Sequence, residues 1–157
     1  MAVDLPTQRL SPKHQVTLIK GARALIEAEA DGYVCGTVHR MIQPQTGERF
    51  PVVVLLSERE LQRREDAIRD NPGLSPIAIE AQVARLNGKV QRMNMDAQRR
   101  IVLPSHFVRY LRLAQDVFMF STNTSVMVWN PDDWRRWDGD DDNADDVGHD
   151  ELSCVMI

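Results

Sequence analysis

The feature that most constrains this chain is a blurred internal copy. "SPKHQVTLI" (residues 11–19) and "DAQRRIVLP" (96–104) each place a short polar loop ahead of an alternating, β-rich run. Gln15-Val16-Thr17-Leu18-Ile19 aligns with Arg100-Ile101-Val102-Leu103-Pro104. A segment able to wind one or two helical turns follows each run, "KGARALIEA" in one case and "SHFVRYLRL" in the other. Strand pairs come next. "VFMF" and "VMVW" flank "STNTS", and "GYVCGTVHRMI" and "FPVVVLL" flank "QPQTGER", a longer turn with its own Pro and Gly.

Both hairpins run into helix starts. Ser57 with Glu60 three residues on predicts a capping box. Asn130, Pro131 and two following aspartates predict a capped helix with acids at its positive end. Gln15 and Ser57 lie 42 positions apart, but Arg100 and Asn130 only 30, so the first copy carries about 12 extra residues, placed in its hairpin. Between the copies, "SERELQRREDAIRD" reads as a helix ending at "NPG". A second helix starts at Ser75-Pro76 and stops at Gly88, read as a left-handed cap. The expected organisation is a first unit over 8–65, connecting helices over 66–88, a second unit over 89–137, and an acidic disordered tail over 138–157. One copy has too few strands to cover its apolar face or pair its edges, so two copies are expected to interlock into a small closed barrel.

Charge is unevenly placed. The chain has 23 acids and 19 basic residues, and eight of the acids fall between Asp138 and Glu151, where there is no Lys or Arg. With those eight set aside, the body carries a net charge of +4. A basic body with an acidic tail fits a nucleic-acid partner or a tail acting on a basic surface; a solvated tail with no binding role has the same composition. No secretory signal or membrane-spanning run is visible, and the two cysteines make no framework, so a cytoplasmic setting is expected.

Residues 90–137 then show a combination of features. A D-x-Q-x-R loop (Asp96, Gln98, Arg100) leads into a strand ending in Leu103-Pro104. A helix, an apolar hairpin and a Trp-Asn-Pro…Trp ending follow. This order resembles the second repeat of the MraZ family, bacterial transcriptional regulators of the SpoVT–AbrB swapped-hairpin class. The likeness is weaker but collinear over residues 8–65. It implies an α+β, β-rich fold of two SpoVT–AbrB-like repeats interlocked in a barrel with peripheral helices. It also implies a homo-oligomeric ring that binds double-stranded DNA upstream of a cell-division and cell-wall gene cluster, hence a nucleoid-associated protein.

On this reading Lys13, His14, Arg23, Arg99 and Arg100 are the candidate DNA contacts, with Asp96 and Pro104 structuring the loop. Arg99 and Lys13 sit where a polar loop meets a strand, a place from which phosphates are reachable without distorting a core. Asp96, four residues before Arg100, is placed to pair with its guanidinium, and that pair has an architectural reading beside the recognition one. Arg109 and Arg112 also read as solvating a helix face, and Trp129, Trp134 and Trp137 as packing material. The first loop departs from the family's D-x-K-G-R pattern. It reads Ser11, Lys13, His14, Gln15, without the acid, the glycine or the arginine, and Ile19 replaces the proline. The degraded loop and acidic tail motivate an alternative of another class, an oligomeric interaction scaffold with weakened DNA binding. No catalytic constellation, metal-ligand spacing or phosphate loop is present, so neither enzyme activity nor a cofactor is expected. "CVMI" at the end formally fits a prenylation box, but acids rather than bases precede it.

Overall fold

The computed structural model describes residues 5–139. The expectations for the acidic tail beyond Gly139 lie outside the described residues.

Eight strands and five helices follow in the order β1 (Gln8–Arg9), β2 (Gln15–Thr17), α1 (Arg23–Asp31), β3 (Tyr33–Ile42), β4 (Arg49–Leu56), α2 (Glu58–Arg69) and α3 (Pro76–Gly88). They continue with β5 (Gln91–Asn94), β6 (Arg100–Val102), α4 (Ser105–Leu111), β7 (Asp116–Ser121), β8 (Val126–Trp129) and α5 (Pro131–Asp138). The fold is α+β and strand-rich. Six strands form a curled, half-barrel sheet in the order β1-β7-β8-β4-β3-β5, and β2 and β6 form a separate two-stranded ribbon.

The pairing links the two halves of the chain. β1 leads into the first polar loop and pairs with β7 of the second half, through Gln8↔Val117 and Arg9↔Asp116. β5 leads into the second loop and pairs with β3 of the first half, through Tyr33↔Asn94 and Val34↔Met93. At the sheet's middle, β4 and β8 pair through Val53↔Val128, Val54↔Met127 and Leu55↔Val126. Hairpin edges that would otherwise be open are thereby covered by strands from elsewhere in the chain. The six-stranded sheet does not close on itself, since β1 and β5 remain its edges; β2 and β6 continue from them as the ribbon. The first hairpin's extra length lies largely in its strands, ten and eight residues against six and four in the second.

β4 explains why "PVVVLL" reads as one apolar run rather than an alternation: both of its faces are buried. Val53 and Leu55 face one cluster together with Val16, Leu18, Ile101 and Leu103 of the ribbon and Phe107 and Leu111 of α4. Val52, Val54 and Leu56 face the opposite cluster, with Leu61, Trp129 and Trp137. The ribbon, α1 and α4 therefore cover one face of the sheet, and α2 and α5 cover the other. The three tryptophans pack on one another, with Trp129 to Trp134 ring centroids 5.3 Å apart and Trp134 to Trp137 5.5 Å.

The helix starts follow local chemistry. Ser57 Oγ accepts from Glu60 N, Ser75 Oγ from Ala78 N, and Asn130 Oδ1 from the amides of Asp132 and Asp133. One expectation is corrected. Gly88 is not a left-handed cap: α3 runs through it and ends at Lys89 with φ −108°, and β5 begins at Gln91. α2 runs past residue 65 to Arg69 and packs against α3.

Candidate nucleic-acid interface

The second polar loop is built around one carboxylate. Asp96 Oδ1 accepts from the amides of Gln98 (2.9 Å) and Arg100 (2.8 Å), while Oδ2 takes the Arg100 Nε–H at 2.7 Å. The backbone closes the same turn, Arg99 N donating to Asp96 O and Asp96 N to Arg100 O. The Arg100 amide, followed by its guanidinium and the Gln98 amide, holds the Asp96 carboxyl below the usual aspartate range. To complete the turn, Arg99 takes a left-handed conformation with φ 59°.

The first loop repeats this geometry with other residues. Ser11 Oγ accepts the Gln15 amide at 2.9 Å, His14 N donates to Ser11 O, and Ser11 N donates to Gln15 O. His14 has φ 64°. A serine hydroxyl here makes the backbone contact that an aspartate makes in the other loop, and His14 holds the conformation for which glycine is the usual choice. The charged pair is what this loop lacks: Gln15 stands where Arg100 stands, and Ser11 where Asp96 stands.

Between the loops lies the ribbon, with pairs Gln15↔Val102, Val16↔Ile101 and Thr17↔Arg100. It is extended at both ends by matching bonds of 2.8 Å, Leu18 N to Arg99 O and Leu103 N to His14 O. Period-two alternation points Val16 and Ile101 into the core. Gln15, Thr17, Arg100 and Val102 form the outer face, where Val102 is 54% exposed. Asp96 takes only the Nε of Arg100, and no other hydrogen bond to that guanidinium is made by the described residues. Its terminal nitrogens are thus aimed and available.

The candidate residues are not all in one place. Lys13 and His14 sit at one end of the ribbon and Arg99 at the other, about four strand residues apart, on the order of 13 Å. Lys13 is exposed. His14 is half-buried and lines a groove with Arg9 and Gln115. Arg99 is turned inward: its side chain is 25% exposed, its Nη1 lies 3.7 Å from Glu29 of α1, and its buried Nε has no acceptor among the described residues. Arg23, at the start of α1, is exposed and lines a groove beside Glu27, Glu60 and Arg63, apart from the ribbon. Pro104 precedes α4, and its carbonyl accepts from Phe107 N. Glu29, Ser11 and Thr17 escape sequence reasoning, which had an arginine to place but no way to see the acid about seventy residues away that holds it.

A family model described as "MraZ protein, putative antitoxin-like" matches residues 87–147. Over this segment the chain is similar to the MraZ family. A "Transcriptional regulator MraZ" of Acetivibrio thermocellus is 32% identical over 65 residues, which is 41% of this chain and 46% of the relative. The alignment therefore spans about half of that relative's length. Among the described residues, the MraZ-matched segment holds β5, the Asp96 loop, β6, α4, the β7–β8 hairpin and α5. The Ser11 loop and β2 lie outside it. No group of acids, histidines or cysteines among the described residues is arranged to hold a metal, and no helix there is long and apolar enough to cross a membrane.

Proposed function

We propose that this chain is a DNA-binding transcriptional regulator of the MraZ type, and that the β2–β6 ribbon with its two loops is the surface that meets the duplex. The observation that carries this reading is the outer face of the ribbon. Arg100 is aimed by Asp96, Gln15 and Thr17 stand beside it, and Val102 supplies an apolar contact. A two-stranded ribbon fits the major groove of B-form DNA, where Arg pairs with guanine and Gln with adenine. Lys13 at one end reaches phosphates, and Arg99 at the other reaches them on leaving Glu29; such contacts fix register and give salt-dependent affinity. His14 flanks this surface as a secondary contact, and Arg23 on α1, apart from the ribbon, is a further contact for duplex extending beyond it. The two units, 8–65 and 89–137, act as interlocked SpoVT–AbrB-like repeats, each lending its leading strand to the other's hairpin. Assembly into a homo-oligomeric ring sets several ribbons on repeated sites at high effective concentration. By resemblance, those sites precede a cell-division and cell-wall gene cluster.

The test is selection from a random duplex pool by the whole protein, followed by binding across a salt series. The proposal expects one enriched motif and an affinity that falls steeply with salt. A second reading, an interaction scaffold with weakened DNA binding, is favoured by the Ser11 loop, which lacks the Asp–Arg pair. Recovery of a well-folded oligomer that enriches no sequence supports the scaffold and rejects the regulator.

A further inference from the structure

A groove of about 430 Å3 runs between the α2–α3 helical pair and β3, on the face of the sheet opposite the ribbon. Ile68 and Leu86 form its apolar walls, and Thr37 and His39 of β3 form its floor. Arg85 and Lys89, one turn apart on α3, stand exposed at its rim. No acid lines it, and neither Arg85 nor Lys89 has an ion pair among the described residues. Arg63, Arg64 and Arg69 of this helical pair are already matched, Arg69 to Glu65 and Glu80, Arg64 to Glu60, and Arg63 to Glu60 and Glu27. The groove therefore offers the apolar side chains of Ile68 and Leu86 above a partly polar floor, with positive charge at its rim.

The chain carries a segment of the complementary kind. After Gly139 come seven acids, the last two being Asp150 and Glu151, and then Leu152, Val155, Met156 and Ile157. The chain leaves α5 close by: Trp137 Nε1 donates to Ile42 O, and Gln43 Nε2 donates to Trp137 O. Gln43 is four residues along the chain from His39, on the order of 13 Å of strand. The twelve residues from 140 to 151 reach up to about 40 Å when extended. Both α5 and the helical pair pack on the same face of the sheet, so no element need be crossed.

We propose that residues 150–157 dock into this groove on their own chain, with Leu152 and Val155 against Ile68 and Leu86 and with Asp150 and Glu151 on Arg85 and Lys89. The docked segment holds the acidic run on the side of the sheet away from the ribbon, where it does not compete with phosphates.

Zero-length carbodiimide coupling of the whole protein tests this, because the chain has only three lysines, Lys13, Lys20 and Lys89. Peptide mass spectrometry is expected to find Lys89 joined to Asp150 or Glu151, within one chain when isotope-labelled and unlabelled protein are mixed. Leu152→Asp with Val155→Asp is expected to lower that yield about tenfold or more, the effect of removing buried apolar contacts. Coupling to Lys13 or Lys20 in preference to Lys89 overturns the proposal. So does coupling only between chains, or a yield that the two aspartates leave unchanged. None of these outcomes depends on whether the ribbon binds DNA.

Discussion

Asp96 and Arg99 show how differently two neighbouring side chains can serve one loop. Asp96 spends both oxygens on the turn and on aiming Arg100, so Arg100→Ala is expected to weaken binding to the selected motif about ten- to a hundredfold, the range for one lost base contact. Binding to random duplex should change little; equal losses on both would move Arg100 to the phosphate class. Arg99 is held by Glu29 at 3.7 Å with its Nε unsatisfied, a weak hold on a side chain beside the backbone path. Glu29→Gln is expected to release it and raise affinity severalfold for all sequences, while Arg99→Ala lowers affinity for all and reduces the salt slope by about one. An unchanged slope in Arg99→Ala would make that residue purely architectural. Because the Asp96 carboxyl is held below its ordinary range, its contribution is present above about pH 4, the unfolded value, and is lost as pH falls through the folded one. Amide exchange over residues 96–100 should therefore quicken on acidification, and Asp96→Asn should remove that response.

Among the elements, the helix starts were legible because capping is written within four residues. Ser57, Ser75 and Asn130 each cap with their side chains, although Glu60 turns its carboxylate to Arg63 and Arg64 instead of completing the expected box with Ser57, and Asn130 Nδ2 also ties α5 to the carbonyls of Leu111 and Arg112. The hairpins were legible for the same reason, through local alternation and turn residues. What local pattern does not encode is which distant strand covers an edge: β5 on β3 and β1 on β7 depend on register between residues 59 apart (Val34 and Met93) and 109 apart (Gln8 and Val117) in the chain. The left-handed turn at His14 was hidden because a histidine, not a glycine, adopts it. Gly36 marks the tightest of these junctions. A Cβ there would lie 2.7 Å from both Met93 Cε and Phe107 Cε2, and Phe107 is fully buried. Gly36→Ala is expected to cost about 1–3 kcal/mol by overpacking. Thermal unfolding checks it; an unaltered midpoint would show that β5 and α4 yield freely there.

For the whole molecule, the architecture separates tasks by face. The ribbon, α1 and α4 lie on one side of the sheet, and α2, α3 and α5 on the other, so a duplex on the ribbon leaves the helical pair open to other contacts. The two loops share a backbone geometry while differing in charge, which predicts an interface that is positioned from both ends but reads sequence mainly from the Arg100 side. The location of the DNA surface is the claim on which the functional account stands. Hydrogen exchange of the whole protein, with and without the selected duplex, measures it directly. Slowed exchange concentrated in residues 11–17 and 96–102, with residues 58–88 unaffected, is the predicted result. Protection centred on the α2–α3 pair, with the ribbon unchanged, would contradict it.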